Sequence, residues 1–194
     1  MARNVLPVAK GVLGTGAVAL VAYVALSNLL EAQQVIEAPP EGFVAPVDVD
    51  TAGLPGPQQP IFFRHDIHAG QYRMDCRYCH YAAEVSSSPG LPSVSTCMGC
   101  HQVVGGQNPE VQKVQQAEAN SAAPEWVEVH VLPPFVHFPH SRHVNADPPV
   151  TCQACHGPIQ EMPQVYQYSS LKMGWCLDCH LERDVTTDCT ACHY

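Results

Sequence analysis

The sequence predicts one N-terminal transmembrane helix followed by a domain of short helices and irregular loops. Three observations lead to this fold class. An uncharged apolar stretch lies near the N-terminus, a proline- and glycine-rich segment follows it, and the rest of the 194-residue chain contains five copies of Cys-x-x-Cys-His. The predicted boundaries are residues 1–36 for the anchor, 37–60 for a linker and 61–194 for the domain that carries the motifs.

The predicted anchor is the stretch from Gly11 to Leu30, which contains no charged side chain. At about 1.5 Å per residue, a helix of this length is roughly 30 Å long, the thickness of a bilayer's hydrocarbon core. Arg3 and Lys10 precede the stretch and Glu31 follows it. Because positive flanks stay in the cytoplasm, we expect a single-pass protein of the cytoplasmic (inner) membrane whose domain lies on the periplasmic side. A cleaved signal peptide is the alternative, but its apolar region is shorter, about 7–15 residues.

The segment from Glu37 to Pro60 is rich in proline and glycine and has no helical or strand periodicity. This composition predicts an extended, semi-rigid linker, or a strap that lies over a partner.

The five motifs contain all ten cysteines of the chain. Cys-x-x-Cys-His is the attachment site of c-type haem, where two thiols form thioethers with the porphyrin and the histidine becomes an axial ligand of the iron. We therefore expect five covalently bound haem c groups. The cysteines are Cys76, Cys79, Cys97, Cys100, Cys152, Cys155, Cys176, Cys179, Cys189 and Cys192, and the histidines are His80, His101, His156, His180 and His193.

Two other chemistries use paired cysteines. Zinc ribbons need pairs of pairs, but the number of pairs here is odd and a histidine follows every one. A thioredoxin-like motif occurs once, near a βαβ pattern. Neither pattern fits this chain, and haem is the interpretation that we adopt.

Six further histidines lie in two clusters ahead of haem motifs. The stretches "FRHDIH" and "FPHSRH" each place two histidines three residues apart, on nearly the same side of a helical turn, where they can serve two closely packed haems. We predict sixth ligands at His65, His68, His130, His140 and His143, which leaves His137 without an iron. Met162 and Met173 are competing sixth ligands, although packing is the other role open to them.

The motif domain has too little chain per haem for an ordinary apolar core, so we expect short helices and loops wrapped around the haems themselves. The segment from Asn108 to Asn120 contains no motif and predicts a helix, with Asn108 as N-cap and Pro109 at the first helical position. We expect this helix to separate the first two haems from the other three.

The net charge of −9 excludes nucleic acid as a partner, because phosphates need a basic surface. The chain shows no nucleophile triad, no phosphate-binding glycine loop and no paired catalytic carboxylates. We therefore expect an electron carrier without an independent active site.

The two histidine stretches resemble the distal-ligand motifs of the cytochrome c3 and c7 multihaem families. That resemblance implies that His65 serves the Cys76 haem and His140 the Cys152 haem. The stretch from Trp126 to His180, with "VYQ" and "MGWCLDCH", is similar to the pentahaem cytochrome c subunit (ActA) of bacterial alternative complex III.

This second resemblance implies an electron-transfer subunit of a quinol-oxidising respiratory or photosynthetic membrane complex. The implied partners are an iron–sulfur/molybdopterin-like subunit, quinol-binding membrane subunits, a monohaem cytochrome c and a periplasmic electron acceptor. His137 departs from the pattern, since the family is expected to have tyrosine there.

The alternatives come from other multihaem classes. A membrane-anchored quinol dehydrogenase of the NapC/NrfH type has its first haem close behind the helix, whereas more than forty residues separate Leu30 from Cys76 here. An oxyanion-reducing enzyme needs an iron with an open sixth position, and the surplus of distal histidines argues against one. A reaction-centre cytochrome uses mostly methionine ligands, and too few methionines precede these motifs.

Overall fold

A computed structural model describes residues 42–194, and the predicted anchor lies outside these described residues. Residues 42–194 form short helices and no β-strand. The α-helices are α1 (Cys76–Cys79), α2 (Val94–His101), α3 (Pro109–Ala119), α4 (His140–Val144), α5 (Cys152–His156), α6 (Met173–Glu182) and α7 (Cys189–Cys192). A π-helix spans Asp66–Gln71, and 3-10 turns span Thr51–Gly53, Tyr81–Glu84 and Ile159–Glu161. Within this described part, no helix is long and apolar enough to cross a bilayer.

Each Cys-x-x-Cys-His motif lies on its own helix, either inside it or at its C-terminal end. In three of the five, the residue before the first cysteine caps the helix: the side chains of Asp75, Thr151 and Asp188 accept hydrogen bonds from backbone N–H groups of the first turn. Such caps satisfy donors that a short helix would otherwise leave unpaired. The local sequence thus starts each of these helices at its first haem-attaching cysteine.

Helix α3 is the segment without a motif, and its predicted start is confirmed. The Asn108 side chain accepts from the Glu110 N–H at 2.8 Å, and Pro109 occupies the first turn. Val111 and Val114 are buried, and helix α3 packs against α2, where Gln115 Nε2 donates to the His101 carbonyl at 3.1 Å. The helix therefore supports the second motif directly.

Residues 42–60 form a strap along the motif domain of the same chain. Gln59 exchanges two hydrogen bonds of 2.8 Å with the backbone of Val127. Gln164, which is buried, donates to the carbonyls of Pro55 and Gly56 at 3.0 and 3.1 Å. The composition predicts a linker or a strap over a partner, and the described part of this segment, residues 42–60, lies on its own domain.

A buried ion pair lies at the start of the π-helix. The Asp66 side chain is fully buried and pairs with Arg64, whose Nε donates to Asp66 Oδ1 at 2.8 Å. The same guanidinium donates to the Pro46 carbonyl at 2.9 Å, and Asp66 Oδ1 accepts from the Ile67 N–H at 3.0 Å. The pair thereby joins the strap to the segment between His65 and His68.

Few apolar side chains form a conventional core. The buried hydrophobic residues among those described are Ala45, Ile61, Val111, Val114 and Met162. A domain of this size normally buries a large share of its apolar side chains, so these five cannot by themselves hold the loops together. The expectation of a core built from prosthetic groups matches this distribution.

We predict that Gly56→Ala loosens the strap. Gly56 has a φ of +89°, and a Cβ there would lie 2.3 Å from the Val165 carbonyl oxygen. The left-handed backbone alone costs a residue with a side chain about 1–3 kcal/mol, and a loss of about 1 kcal/mol lowers the Tm of a domain of this size by roughly 2–4 °C. Thermal denaturation of the full-length protein and limited proteolysis at residues 42–60 measure the effect.

The matched control is Gly53→Ala, because no atom lies within 4 Å of a Cβ at Gly53. Equal melting temperatures for the two variants would contradict the packing described for Gly56.

Candidate haem sites

The five motifs define five sites, numbered here in chain order. Each site consists of two cysteines and the histidine that follows them: site 1 (Cys76, Cys79, His80), site 2 (Cys97, Cys100, His101), site 3 (Cys152, Cys155, His156), site 4 (Cys176, Cys179, His180) and site 5 (Cys189, Cys192, His193). All ten thiols are free of disulfide bonds. Among residues 42–194, no three or more His, Cys, Asp or Glu side chains come together to form a binding site for a metal ion.

At four sites, a backbone carbonyl fixes one nitrogen of the motif histidine. The Nδ1 atoms lie 2.6–3.0 Å from carbonyl oxygens, so each carries the proton that it donates. Nε2 is then the nitrogen with a free lone pair, the arrangement typical of a histidine that ligates a metal. The pairs are His80 with Gly90, His101 with Val104, His180 with Thr186 and His193 with Phe135.

A second histidine ring lies opposite the motif histidine at sites 2, 3 and 4. The ring centroids of His68 and His101 are 6.0 Å apart, those of His140 and His156 6.3 Å, and those of His143 and His180 6.1 Å. Two imidazoles that share one metal through bonds of about 2 Å have ring centres about 6 Å apart. The donor set and its spacing therefore fit a haem iron with two axial histidines.

Site 1, like sites 2, 3 and 4, has a second histidine near its motif histidine. His65 lies close enough to His80 for the two rings to interact electrostatically. Burial, with smaller contributions from His80 and His68, lowers the pKa of His65 to about 3. The ring is therefore neutral, which is the form that binds a metal.

The two predicted ligand stretches have the same geometry. Phe63 stacks on His68 at 4.4 Å, and Phe138 stacks on His143 at 4.2 Å. In each stretch, the Nδ1 of the second histidine bonds the carbonyl four residues before it, at 2.8 Å for His68 and 2.9 Å for His143. Each stretch thus offers one histidine to each of two neighbouring sites.

Sites 2, 1 and 3 follow one another in space. Burial and the nearby Cys97 thiol raise the pKa of Cys79, and the Cys152 thiol together with burial raises the pKa of Cys76. Helix α4 lies against the segment after the first motif, because the His140 and Ser141 N–H groups donate to carbonyls at residues 87 and 86. Site 1 is therefore between sites 2 and 3.

Sites 3, 4 and 5 continue the row. Burial and the thiols of Cys179 and Cys176 raise the pKa of Cys155 to about 11. Burial and the Cys192 thiol raise the pKa of Cys176. The spatial order of the sites is thus 2–1–3–4–5, and it differs from the chain order at one point.

The structure places His130 at the third site. Its Nε2 lies 3.2 Å from Nδ1 of His156. The sequence predicts His130 as a sixth ligand without assigning it to a particular haem, and that role stays a prediction. The segment of His130 passes site 3 before the Phe135 carbonyl reaches His193.

The structure also shows the surroundings of the three residues whose roles the sequence does not decide, namely His137, Met162 and Met173. The ring of His137 stacks on Tyr194 at 4.1 Å, and the backbone N–H of His137 donates to the Cys192 carbonyl at 2.8 Å. Met162 is buried, and its carbonyl accepts from the Asp66 N–H at 3.2 Å, while Met173 is exposed at the start of α6. A ligand role for either methionine stays a hypothesis.

The carbonyl groups that orient the motif histidines were not predicted. They lie three to ten residues after the motif at three sites and 58 residues before it at site 5. Because the acceptor is a backbone oxygen, its side chain carries no signal that a sequence could show.

Comparison with known proteins supports this chemistry. Residues 136–194 match the family described as cytochrome c7 and related cytochrome c. The described domain has a multihaem cytochrome c fold. The chain is also similar to the multihaem cytochrome c subunit of menaquinone reductase from Nitratidesulfovibrio vulgaris, with 27% identity over 157 residues, or 70% of this chain and 75% of the relative. Cytochromes of this class carry covalently bound haem c. The more specific resemblance to the pentahaem subunit of alternative complex III stays a prediction.

We predict that His143→Ala converts one haem of the purified protein from low spin to high spin. The variant removes the imidazole opposite His180, so the iron at site 4 loses its sixth ligand. Electron paramagnetic resonance and absorption spectra report the change.

His137→Ala is the matched control, because its ring stacks on Tyr194 and the variant should keep the wild-type spectrum. A gain of high-spin signal in the control relative to the wild type, or no such gain in His143→Ala, would show that the ligand pairing is wrong.

Proposed function

We propose that this protein is the electron-transfer subunit of a membrane-bound quinol-oxidising complex of the alternative complex III type, and that it passes electrons through five haem c groups to a periplasmic acceptor. The row of sites 2–1–3–4–5, with histidines paired across the inner ones, carries this proposal. Haem supplies one-electron redox chemistry when bound, and adjacent haems in a row are the arrangement that long-range transfer requires.

The chain's own residues favour a carrier over an enzyme. His65, His68, His140 and His143 would occupy the sixth positions at sites 1 to 4, which leaves no iron position there for a substrate. The motif histidines keep Nε2 for the metal, because their Nδ1 protons are held by hydrogen bonds. A bound iron then changes its charge without a change of ligands.

The two ends of the row are the proposed contacts with redox partners. At site 2 the Cys100 thiol is exposed, and the neighbouring Val103 is 87% exposed. At site 5, Cys189 is exposed and Tyr194 is 81% exposed. An interior haem is surrounded by its neighbours, so electrons are expected to arrive at one end and leave at the other.

The proposed setting is a complex in the cytoplasmic membrane. The charge-free stretch at residues 11–30 would anchor the chain, and the haem domain would lie on the periplasmic side. The named relative belongs to a menaquinone reductase, which supports a quinone-linked complex. The partners proposed within it are quinol-binding membrane subunits, an iron–sulfur/molybdopterin-like subunit and a monohaem cytochrome c.

The first test is the cofactor load. Denaturing mass spectrometry of the full-length protein should show five covalently attached haems, since every cysteine lies in a motif. The double variant Cys189→Ala with Cys192→Ala should carry four. A wild-type protein with fewer than five haems would contradict the proposed row.

The second test addresses electron donation. The complex purified from membranes through a tag on this chain should have its haems reduced by menadiol or decylubiquinol, whereas the isolated chain should not. Reduction of the isolated chain by quinol would favour a NapC/NrfH-type quinol dehydrogenase, and an unreduced complex would overturn the quinol-oxidising role.

A further inference from the structure

Site 3 differs from the other four sites in the group that holds its motif histidine. At sites 1, 2, 4 and 5 the Nδ1 atom meets a backbone carbonyl. At site 3, Nδ1 of His156 meets Nε2 of His130 at 3.2 Å. The two rings are nearly perpendicular, at 81°, with centroids 4.3 Å apart. The two nitrogens are thus within hydrogen-bonding distance, in an edge-to-face arrangement of the rings.

The direction of this hydrogen bond follows from the role of His156. If Nε2 of His156 is the iron ligand, its single proton must be on Nδ1, so His156 donates and His130 accepts. The reverse bond would put the proton of His156 on Nε2, where no iron could bind.

The backbone holds His130 in this position from both sides. Before it, Val127 is fixed by the two hydrogen bonds to Gln59 of the strap. After it, the carbonyl of Phe135 accepts from His193 at 3.0 Å. The segment between Val127 and Phe135 is thus tethered at two points, and its histidine lies against the middle site of the row.

We propose that His130 is a positioning residue that accepts the Nδ1 proton of His156 and thereby lowers the reduction potential of the central haem. An imidazole nitrogen is a more basic acceptor than a peptide carbonyl. A stronger acceptor makes the ligating imidazole more electron-rich, which stabilises the ferric form. The inference rests on the proposed function in one respect, namely that site 3 binds haem through His156.

The test is the redox titration of His130→Ala in the full-length protein, with His130→Gln as the conservative variant. His130→Ala should keep five haems with the same spin states as the wild type. One midpoint potential should shift upward, and the other four should stay unchanged. His130→Gln, whose amide oxygen can accept the same proton, should move that potential back toward the wild-type value.

Three results would overturn the proposal. An additional high-spin haem in His130→Ala, relative to the wild type, would make His130 an iron ligand, the role that the sequence predicts for it. Unchanged potentials in His130→Ala would show that the hydrogen bond has no electronic effect. Loss of a haem in His130→Ala, which the proposal expects to keep all five, would assign His130 to folding instead of tuning.

The haem count separates this test from that of the proposed function. A wild-type protein with five haems and no response to quinol would end the proposed function but leave the His130 experiment intact, because redox titration with chemical mediators needs no partner.

Discussion

Most of the histidines predicted to ligate iron have to satisfy two partners at once, and most of the architecture is arranged around that demand. One ring nitrogen keeps a lone pair for iron, so the other must donate a proton to a fixed acceptor. His65 is the exception, because its buried Nδ1 has no hydrogen-bond partner among the described residues. At site 1 the acceptor is the carbonyl of Gly90, ten residues beyond the ligand. At site 5 it is the Phe135 carbonyl, in a distant segment. Irregular loops can bring such carbonyls to the rings, whereas a long helix uses its own carbonyls internally.

The same demand explains why the ligand stretches are short and aromatic. In "FRHDIH" and "FPHSRH" the phenylalanine stacks on the second histidine, and the carbonyl four residues earlier holds that ring's Nδ1. The backbone carbonyl and the aromatic ring together hold the imidazole of the second histidine in one orientation. At site 3, the acceptor for the motif histidine is a second imidazole in place of a carbonyl. This acceptor gives the middle site an electronic environment that the other four sites do not share.

Much of the chemistry could be predicted from local sequence, because it depends on fixed spacings. The motif cysteines, the paired histidines and the cap at Asn108 are all patterns of a few residues. The position of His130 could not be predicted, because it depends on contacts between segments far apart in the chain. Gln59 forms a hydrogen bond with Val127, 68 residues further along the chain, and no short sequence pattern predicts that contact. The order of the sites was also beyond sequence reasoning, since motif order and spatial order differ at site 1.

The spatial order has a consequence for how the domain is made. The stretch containing His65 and His68 lies opposite the histidines of sites 1 and 2, and all four belong to residues 65–101. The second stretch and sites 3 and 4 occupy residues 140–180. Each of these two modules therefore contains the histidine pairs that its own sites need, so the first can complete its coordination before the second is synthesised. Helix α3 lies between the two modules in the sequence. Site 5 follows the second module, and the Phe135 carbonyl accepts a hydrogen bond from its histidine.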